Sequence, residues 1–227
     1  MERYSVITEK FPREFVLLQG TGCRWGKCTF CDYHLDASDN PFELNKSVLD
    51  KVTGRYGVLD IINSGSCTEL DNQTITYIQQ RVKDCSIHTL WFEAHWIYRK
   101  QLESFAALFP GVTVKFRCGV ETFDPQLRTK WNKGIPPHIE AQDIAKYFNG
   151  VCLLCGTKGE EFEHIASDIY TACRYFEYMS VNVFCNNTSA EQRDDLIVNR
   201  FISEIYTQYK DHPKVEILLD NTDLGVG

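Results

Sequence analysis

Short apolar runs rich in β-formers alternate along this chain with longer stretches whose apolar residues recur at helical spacing. Several runs are apolar on both faces, which is typical of parallel strands covered by helices. Apolar stripes predict helices over residues 75–85, 162–176 and 196–205, and Pro136 and Pro137 are expected to open another helix ending near Phe148. The predicted strands cover residues 15–19, 58–63, 89–94, 112–119, 151–155, 180–184 and 215–219.

This order of elements predicts one α/β domain spanning residues 1–227. Six to seven parallel strands, each followed by a helix, are expected to form a partial or closed TIM-type β/α barrel. An open doubly wound sheet is the alternative. In both architectures the active site lies at the carboxyl ends of the strands, so polar residues that follow strands are the candidates for function.

Composition narrows the classes of partner. The chain carries 24 basic and 31 acidic residues, a net charge of −7, which argues against binding a nucleic acid polymer. No apolar run approaches the roughly 18 residues of a membrane span, and the opening segment does not read as a secretory leader. A cytoplasmic location is therefore expected. Ten cysteines are then metal ligands or buried thiols rather than disulfide partners.

Three of the cysteines lie in one loop, residues 20–34, directly after the first predicted strand. Cys23, Cys28 and Cys31 fall within nine residues and are interspersed with glycines. Glycine allows backbone to wrap closely around an inorganic group, and thiolates at this spacing suit zinc or an iron–sulfur cluster. A structural zinc site needs a fourth ligand, for which His34 is the candidate.

The C-x4-C-x2-C pattern, with Phe30 before its last cysteine, resembles the cluster loop of the radical S-adenosylmethionine (SAM) superfamily. The common spacing in that superfamily is one residue shorter. The resemblance implies a 4Fe–4S cluster on Cys23, Cys28 and Cys31, with one iron left for SAM. It also implies catalysis by a 5′-deoxyadenosyl radical and an electron donor such as flavodoxin or ferredoxin.

Three later segments resemble the SAM-contacting segments of the same superfamily. The Ser-Gly-Ser turn after residues 58–63 stands where the family has Gly-Gly-Glu, although a plain strand-end turn is the alternative. Arg117 and Glu121 are four residues apart, so a regular strand places them on the same side. A buried ion pair between an arginine and a glutamate is the alternative to a role in SAM binding. The strand ending in Cys155 resembles the adenine-binding strand. The resemblance implies SAM contacts for Phe30, Tyr33, Asn63, Ser64, Gly65, Ser66, Arg117, Glu121, Leu154 and Gly156.

Polar residues at the remaining strand ends are the substrate candidates. Glu93 and His95, two apart, are also the candidates for catalysis besides the cysteines. The other candidates are Asn182, Asn187, Asp220 and Asp223, any of which is alternatively a cap or turn residue. Arg55, Lys158 and Arg117 are candidates for a phosphate group.

Within the superfamily, the short chain and these motifs most resemble the queuine lyases of bacterial queuosine salvage. That resemblance implies cleavage of the glycosidic C–N bond of queuosine or its 5′-phosphate, with release of queuine. A radical SAM activase, or another radical SAM reaction on a small molecule or peptide, is the alternative.

Overall fold

The computed structural model describes residues 1–227 and contains an eight-stranded sheet. Its strands are β1 (Tyr4–Ile7), β2 (Arg13–Leu18), β3 (Val58–Asn63), β4 (Thr89–Glu93), β5 (Thr113–Glu121), β6 (Gly150–Cys155), β7 (Tyr178–Val183) and β8 (Val215–Leu218). The α-helices are α1 (Phe42–Leu49), α2 (Asn72–Asp84), α3 (Leu102–Ala106), α4 (Pro125–Lys130), α5 (Ala141–Ile144), α6 (Phe162–Tyr175), α7 (Asp195–Arg200) and α8 (Thr207–Tyr209), with a π-helical segment at Phe201–Tyr206. Short 3-10 helices cover Tyr33–Asp36, Cys67–Glu69 and Trp96–Tyr98.

The strands are hydrogen-bonded in chain order from β1 to β8. A doubly wound sheet reverses its strand order at a switch point, so that alternative is excluded. The predicted parallel sheet is confirmed for β2–β3–β4 and for β5–β6–β7–β8. The sheet is open, with β1 and β8 at its edges. β1, which pairs antiparallel with β2, was not predicted, because it has four residues and none of them is buried.

The chain divides into two compact units. The first comprises Met1–Gly26, Tyr33–Phe116 and Leu224–Gly227. In it, Phe15 and Leu17 of β2 pack with Val226, so both chain ends contribute to one apolar cluster. Glu2 and Gly227 exchange two backbone hydrogen bonds beside that cluster. The predicted single domain over residues 1–227 stays a prediction.

The second unit comprises Lys27–Asp32 and Arg117–Asp223. The predicted helix over residues 136–148 is wrong in its extent, since only α5 is helical there. The guanidinium of Arg128, only 1% exposed, accounts for the difference. Its Nη2 donates to the carbonyls of Pro136 and Ile139, at 3.2 and 2.9 Å, and so holds this segment in a turn in which the amide of Ile139 also donates to the carbonyl of Pro136. None of the helices in the structure combines the length and apolarity that a membrane crossing requires.

Candidate active site

In the first unit, the segment before Cys23 is fixed on the turn that follows β3. The amide of Gly20 donates to Ser64 Oγ at 2.8 Å, and the amide of Thr21 donates to the carbonyl of Glu69 at 3.1 Å. The approach is close: a Cβ on Gly65 would lie 2.7 Å from the carbonyl oxygen of Gly22. The Ser-Gly-Ser turn and the residues before Cys23 are therefore packed against each other.

The carboxylate of Glu69 joins three segments of this unit. It accepts hydrogen bonds from the amide of Arg24 at 2.6 Å, the hydroxyl of Tyr98 at 2.7 Å and the amide of Ser66 at 2.5 Å. Burial and the hydrogen bond to Glu69 raise the pKa of Tyr98, which keeps it a donor. Our sequence analysis missed Glu69. The spacing Ser66-x-x-Glu69 is a capping-box pattern and was the available signal.

Asn63, at the end of β3, presents an acceptor that the protein leaves unused. The residue is 7% exposed, and its Nδ2 donates to the carbonyl of Ser66 at 3.1 Å. Its buried Oδ1 has no hydrogen-bond partner in the protein. A buried amide oxygen without a donor is costly, so this atom suits a ligand that brings an N–H group, such as the ammonium of SAM.

His95 lies beyond the end of β4 rather than on the strand with Glu93, so the expected shared strand face does not extend to it. The Nδ1 of His95 accepts the amide of Ile97 at 3.2 Å, which leaves the proton of the neutral ring on Nε2. The imidazole stacks on Trp25 of the cysteine loop, with ring centroids 5.3 Å apart. Trp25 was not among the predicted site residues, since nothing local in the sequence links it to His95. Glu93, the last residue of β4, is half-buried.

Cys67, which directly follows the Ser64–Ser66 turn, is fully buried, and burial raises the pKa of its thiol.

In the second unit, several hydrogen bonds hold the Lys27–Asp32 part of the loop. The amide of Thr29 donates to the carbonyl of Trp131 at 3.1 Å. The side chain of Asn187 donates to the carbonyl of Phe30 at 2.9 Å, and both the amide and the hydroxyl of Thr188 donate to Asp32. Asn187, predicted to contact substrate, is therefore used to position the cysteine loop.

Phe30 is the apolar centre of this loop segment. Its ring, 9% exposed, meets Trp131 edge to face with centroids 5.7 Å apart. Cys28 and Cys31 pack against the same cluster, as does Leu154 of β6. Cys23, Cys28 and Cys31 form no disulfide, and all three residues are partly exposed.

Two further residues of the predicted cysteine loop, a zinc candidate and a SAM candidate, are exposed. His34, the candidate fourth zinc ligand, is exposed on the 3-10 helix Tyr33–Asp36. Tyr33, predicted to contact SAM, is 49% exposed on the same helix.

The exit of β6 is a second tight turn. Gly156 has φ of 90°, and a Cβ there would lie 2.5 Å from Val198 Cγ2 of α7. The amides of Gly156 and Thr157 donate to Glu160 Oε2 at 2.7 and 3.1 Å. Burial raises the pKa of Glu160 to about 7.

One substrate candidate lies beside a SAM candidate on the sheet. Leu154 of β6 is paired in register with Asn182 of β7, and both are half-buried. The structure thus brings the two predicted groups into neighbouring positions on adjacent strands.

Arg117 lies elsewhere. It pairs with Gly150, the first residue of β6, and its guanidinium lies 6.0 Å from the ring of Tyr178, the first residue of β7. The hydroxyl of Tyr178 in turn donates to Glu216 at 2.6 Å. These contacts are at the amino ends of the strands, so the position of Arg117 supports neither the SAM nor the phosphate assignment.

Glu121 does not share a side of β5 with Arg117, because the register shifts between Gly119 and Glu121. Glu121 has φ of 66° and pairs instead with Lys133, with Oε1 and Nζ 2.8 Å apart. The bulge breaks the alternation from which a shared side of Arg117 and Glu121 was expected.

The remaining candidates make local surface contacts. Asp223 Oδ2 accepts the amides of Leu219 and Asp220, and Asp220 Oδ1 accepts both donors of Thr222. These two carboxylates therefore close a turn, which was the alternative reading. Lys158 donates to Gln192 at 2.7 Å, and Arg55 lies over the ring of Tyr56.

The solved structure of a queuine lyase from Clostridium spiroforme, bound to SAM and queuine, matches this chain with a TM-score of 0.95. The two are 38% identical over 100% of this chain and 99% of that one. A chitinase from Chromobacterium violaceum ATCC 12472 matches at 7% identity and a TM-score of 0.35, over 88% of this chain and 72% of that chain, which is too little to bear on the fold. No protein-family profile and no curated protein sequence matches. Identity of 38% along the whole chain, on a matching fold, places this protein in the queuine lyase family.

Proposed function

We propose that this chain is a radical SAM lyase that cleaves the N-glycosidic bond of queuosine or queuosine 5′-phosphate and releases queuine. The observation that carries the proposal is the 38% identity, over the full chain, to a queuine lyase bound to SAM and queuine. The match covers 100% of this chain and therefore includes the cysteine loop, the β3 turn and the β6 exit.

The residues present fit a 4Fe–4S cluster and SAM. Cys23, Cys28 and Cys31 form no disulfide and are partly exposed, in a loop whose backbone is fixed by hydrogen bonds at Arg24 and at Phe30. When bound, the cluster and SAM supply a 5′-deoxyadenosyl radical that abstracts a hydrogen atom from the substrate. The buried Oδ1 of Asn63 and the turn Ser64, Gly65 and Ser66 are assigned to the amino group of SAM, and Leu154 and Gly156 to its adenine.

The substrate assignment rests on the ends of β4 and β7. Glu93 supplies a carboxylate for the secondary amine of the base, and His95 supplies Nε2–H as a donor because Nδ1 is engaged. Asn182 supplies a side-chain amide on β7, at the position paired with Leu154 of β6. We place the enzyme in the cytoplasm, with a flavodoxin or ferredoxin as electron donor, since ten free cysteines suit a reducing compartment.

The test is anaerobic reconstitution with iron and sulfide, followed by incubation with SAM, dithionite and queuosine 5′-phosphate, or queuosine in a parallel reaction. We expect about four irons per chain and the formation of both 5′-deoxyadenosine and queuine. The two products are detected by mass spectrometry. The variant Cys28→Ala should lose iron and both products. Cys173→Ala, which removes a partly exposed thiol outside the loop, is the matched control and should retain them.

Two results would overturn the proposal at different levels. Formation of 5′-deoxyadenosine without queuine, from either substrate, rejects the lyase and leaves a radical SAM enzyme of another reaction. Failure of the reconstituted wild-type protein to bind iron rejects the radical SAM assignment itself.

A further inference from the structure

The pair formed by Glu121 and Lys133 has no role in the function proposed above. Glu121 ends β5 in the left-handed region, with φ of 66°, at the register shift against β6. A non-glycine residue there costs on the order of 1–3 kcal/mol, and such strain persists where the surrounding structure requires it. The strained backbone delivers the carboxylate of Glu121 to Lys133 Nζ at 2.8 Å.

Stability does not explain this pair. Both side chains are only 9% exposed. Removing two charges from water costs several kcal/mol per ion, and replacing a buried pair by apolar side chains is often neutral or stabilising. A buried pair that also requires backbone strain therefore calls for a role other than holding the fold together.

The position of the ammonium indicates that role. Lys133 Nζ lies 5.4 Å from the ring centroid of Phe30, and Cys28 packs against the same apolar cluster. The ammonium, paired with Glu121, is thus removed from water and lies against the loop segment that carries the predicted cluster ligand Cys28.

We propose that Lys133, oriented by Glu121, is a positioning residue that raises the reduction potential of the iron–sulfur cluster held through Cys28. The inference rests on the proposed function. One electron from a low-potential protein donor or dithionite adds one negative charge to the cluster. A fixed cation in a medium of low dielectric constant stabilises the reduced state more than the oxidised state.

The experiment is a redox titration of the reconstituted proteins in the absence of SAM, in which electron paramagnetic resonance measures the fraction of reduced cluster. Lys133→Met should shift the midpoint potential to more negative values, and Lys133→Arg should keep it near that of the wild type. Glu121→Gln leaves the cation without its counter-charge, so it should shift the potential in the opposite direction. Lys130→Met, which removes an exposed lysine of α4, is the matched control and should leave the potential unchanged.

Iron content and SAM affinity are measured on the same samples. Unchanged potentials in Lys133→Met and Glu121→Gln would overturn the inference, as would shifts of the same sign in both. Weaker SAM binding with an unchanged potential would assign Lys133 to SAM instead, and so also overturn it. If Lys133→Met does not fold, the sign of the Glu121→Gln shift still decides. Wild-type protein that binds no iron rejects the proposed function rather than this inference alone.

Discussion

At the scale of single residues, Glu69 has the most consequential set of contacts in the first unit. Its carboxylate satisfies two backbone amides, those of Arg24 and Ser66, and the hydroxyl of Tyr98. Arg24 directly follows Cys23, so the orientation of that cysteine depends on a residue 46 positions away along the chain (69 minus 23). Hydrogen bonds to a charged acceptor are stronger than neutral ones, which makes the loss of this carboxylate costly.

The variant Glu69→Ala should lower the free energy of unfolding by roughly 1–3 kcal/mol, because it leaves two amides and a hydroxyl without their acceptor. We also expect faster hydrogen exchange in residues 21–26 and a lower iron content after reconstitution. Urea unfolding, exchange mass spectrometry and iron analysis measure these three effects.

Glu103→Ala, at an exposed position of α3, is the matched control and should behave as the wild type. Glu69→Gln keeps the shape of the side chain and one acceptor oxygen, so its losses in stability and iron content should lie between those of Glu69→Ala and Glu103→Ala. Normal exchange in residues 21–26 of Glu69→Ala would contradict the positioning role of Glu69.

At the scale of elements, the exit of β6 depends on how closely α7 packs. Gly156 combines φ of 90° with a neighbouring atom, Val198 Cγ2, that leaves no room for a Cβ. Val198 is 1% exposed and held in the core, so it has little freedom to move away. The turn that leads from β6 toward the proposed adenine contacts therefore requires glycine for two separate reasons.

Gly156→Ala should destabilise the protein by more than backbone strain alone, since the new methyl group also overlaps Val198. Gly111→Ala is the matched control, because Gly111 has φ of 81° with no atom within 4 Å of its Cβ position. We expect about 1 kcal/mol for Gly111→Ala and roughly 2–4 kcal/mol for Gly156→Ala, both from urea unfolding. Equal losses in the two variants would show that the contact with Val198 is not important.

At the scale of the whole molecule, two buried carboxyls make stability depend on pH. Burial raises the pKa of Glu160 to about 7, and that of Asp168 to about 6. Raised values mean that the folded state binds these protons more tightly than the unfolded state. Their contribution to stability is therefore complete below the usual carboxyl pKa and is lost as the pH rises to about 7.

Glu160→Gln should remove its share of this pH dependence. As the pH rises from about 5 to about 7.5, the free energy of unfolding of the variant should increase by about 2 kcal/mol relative to that of the wild type. Urea unfolding at the two pH values measures the change. Glu161→Gln makes the same substitution at an exposed neighbouring residue, and its free energy of unfolding should change with pH as that of the wild type does. A parallel curve for Glu160→Gln as well would show that burial does not control this titration.

Features that short local patterns encode were predictable from the amino-acid sequence. Apolar runs predicted seven of the eight strands, and β3 was predicted with its observed bounds. The spacing of Cys23, Cys28 and Cys31 and the segments after β3 and β6 were sufficient to predict the family, which the full-length match confirms. Such inferences succeed because periodicity reports which side chains are buried, and a loop motif carries its chemistry within a few residues.

The contacts between residues that are far apart along the chain were not predictable in this way. The bulge in β5 separates Glu121 from Arg117 and joins it to Lys133, while Asn187 reaches the backbone of Phe30 across 157 positions. Strand register and the backbone conformation at a single residue set these pairings, and neither leaves a periodic trace in the sequence. Helices and strands can thus be predicted from local sequence, whereas the partner of a polar side chain depends on which residues the fold brings close to it.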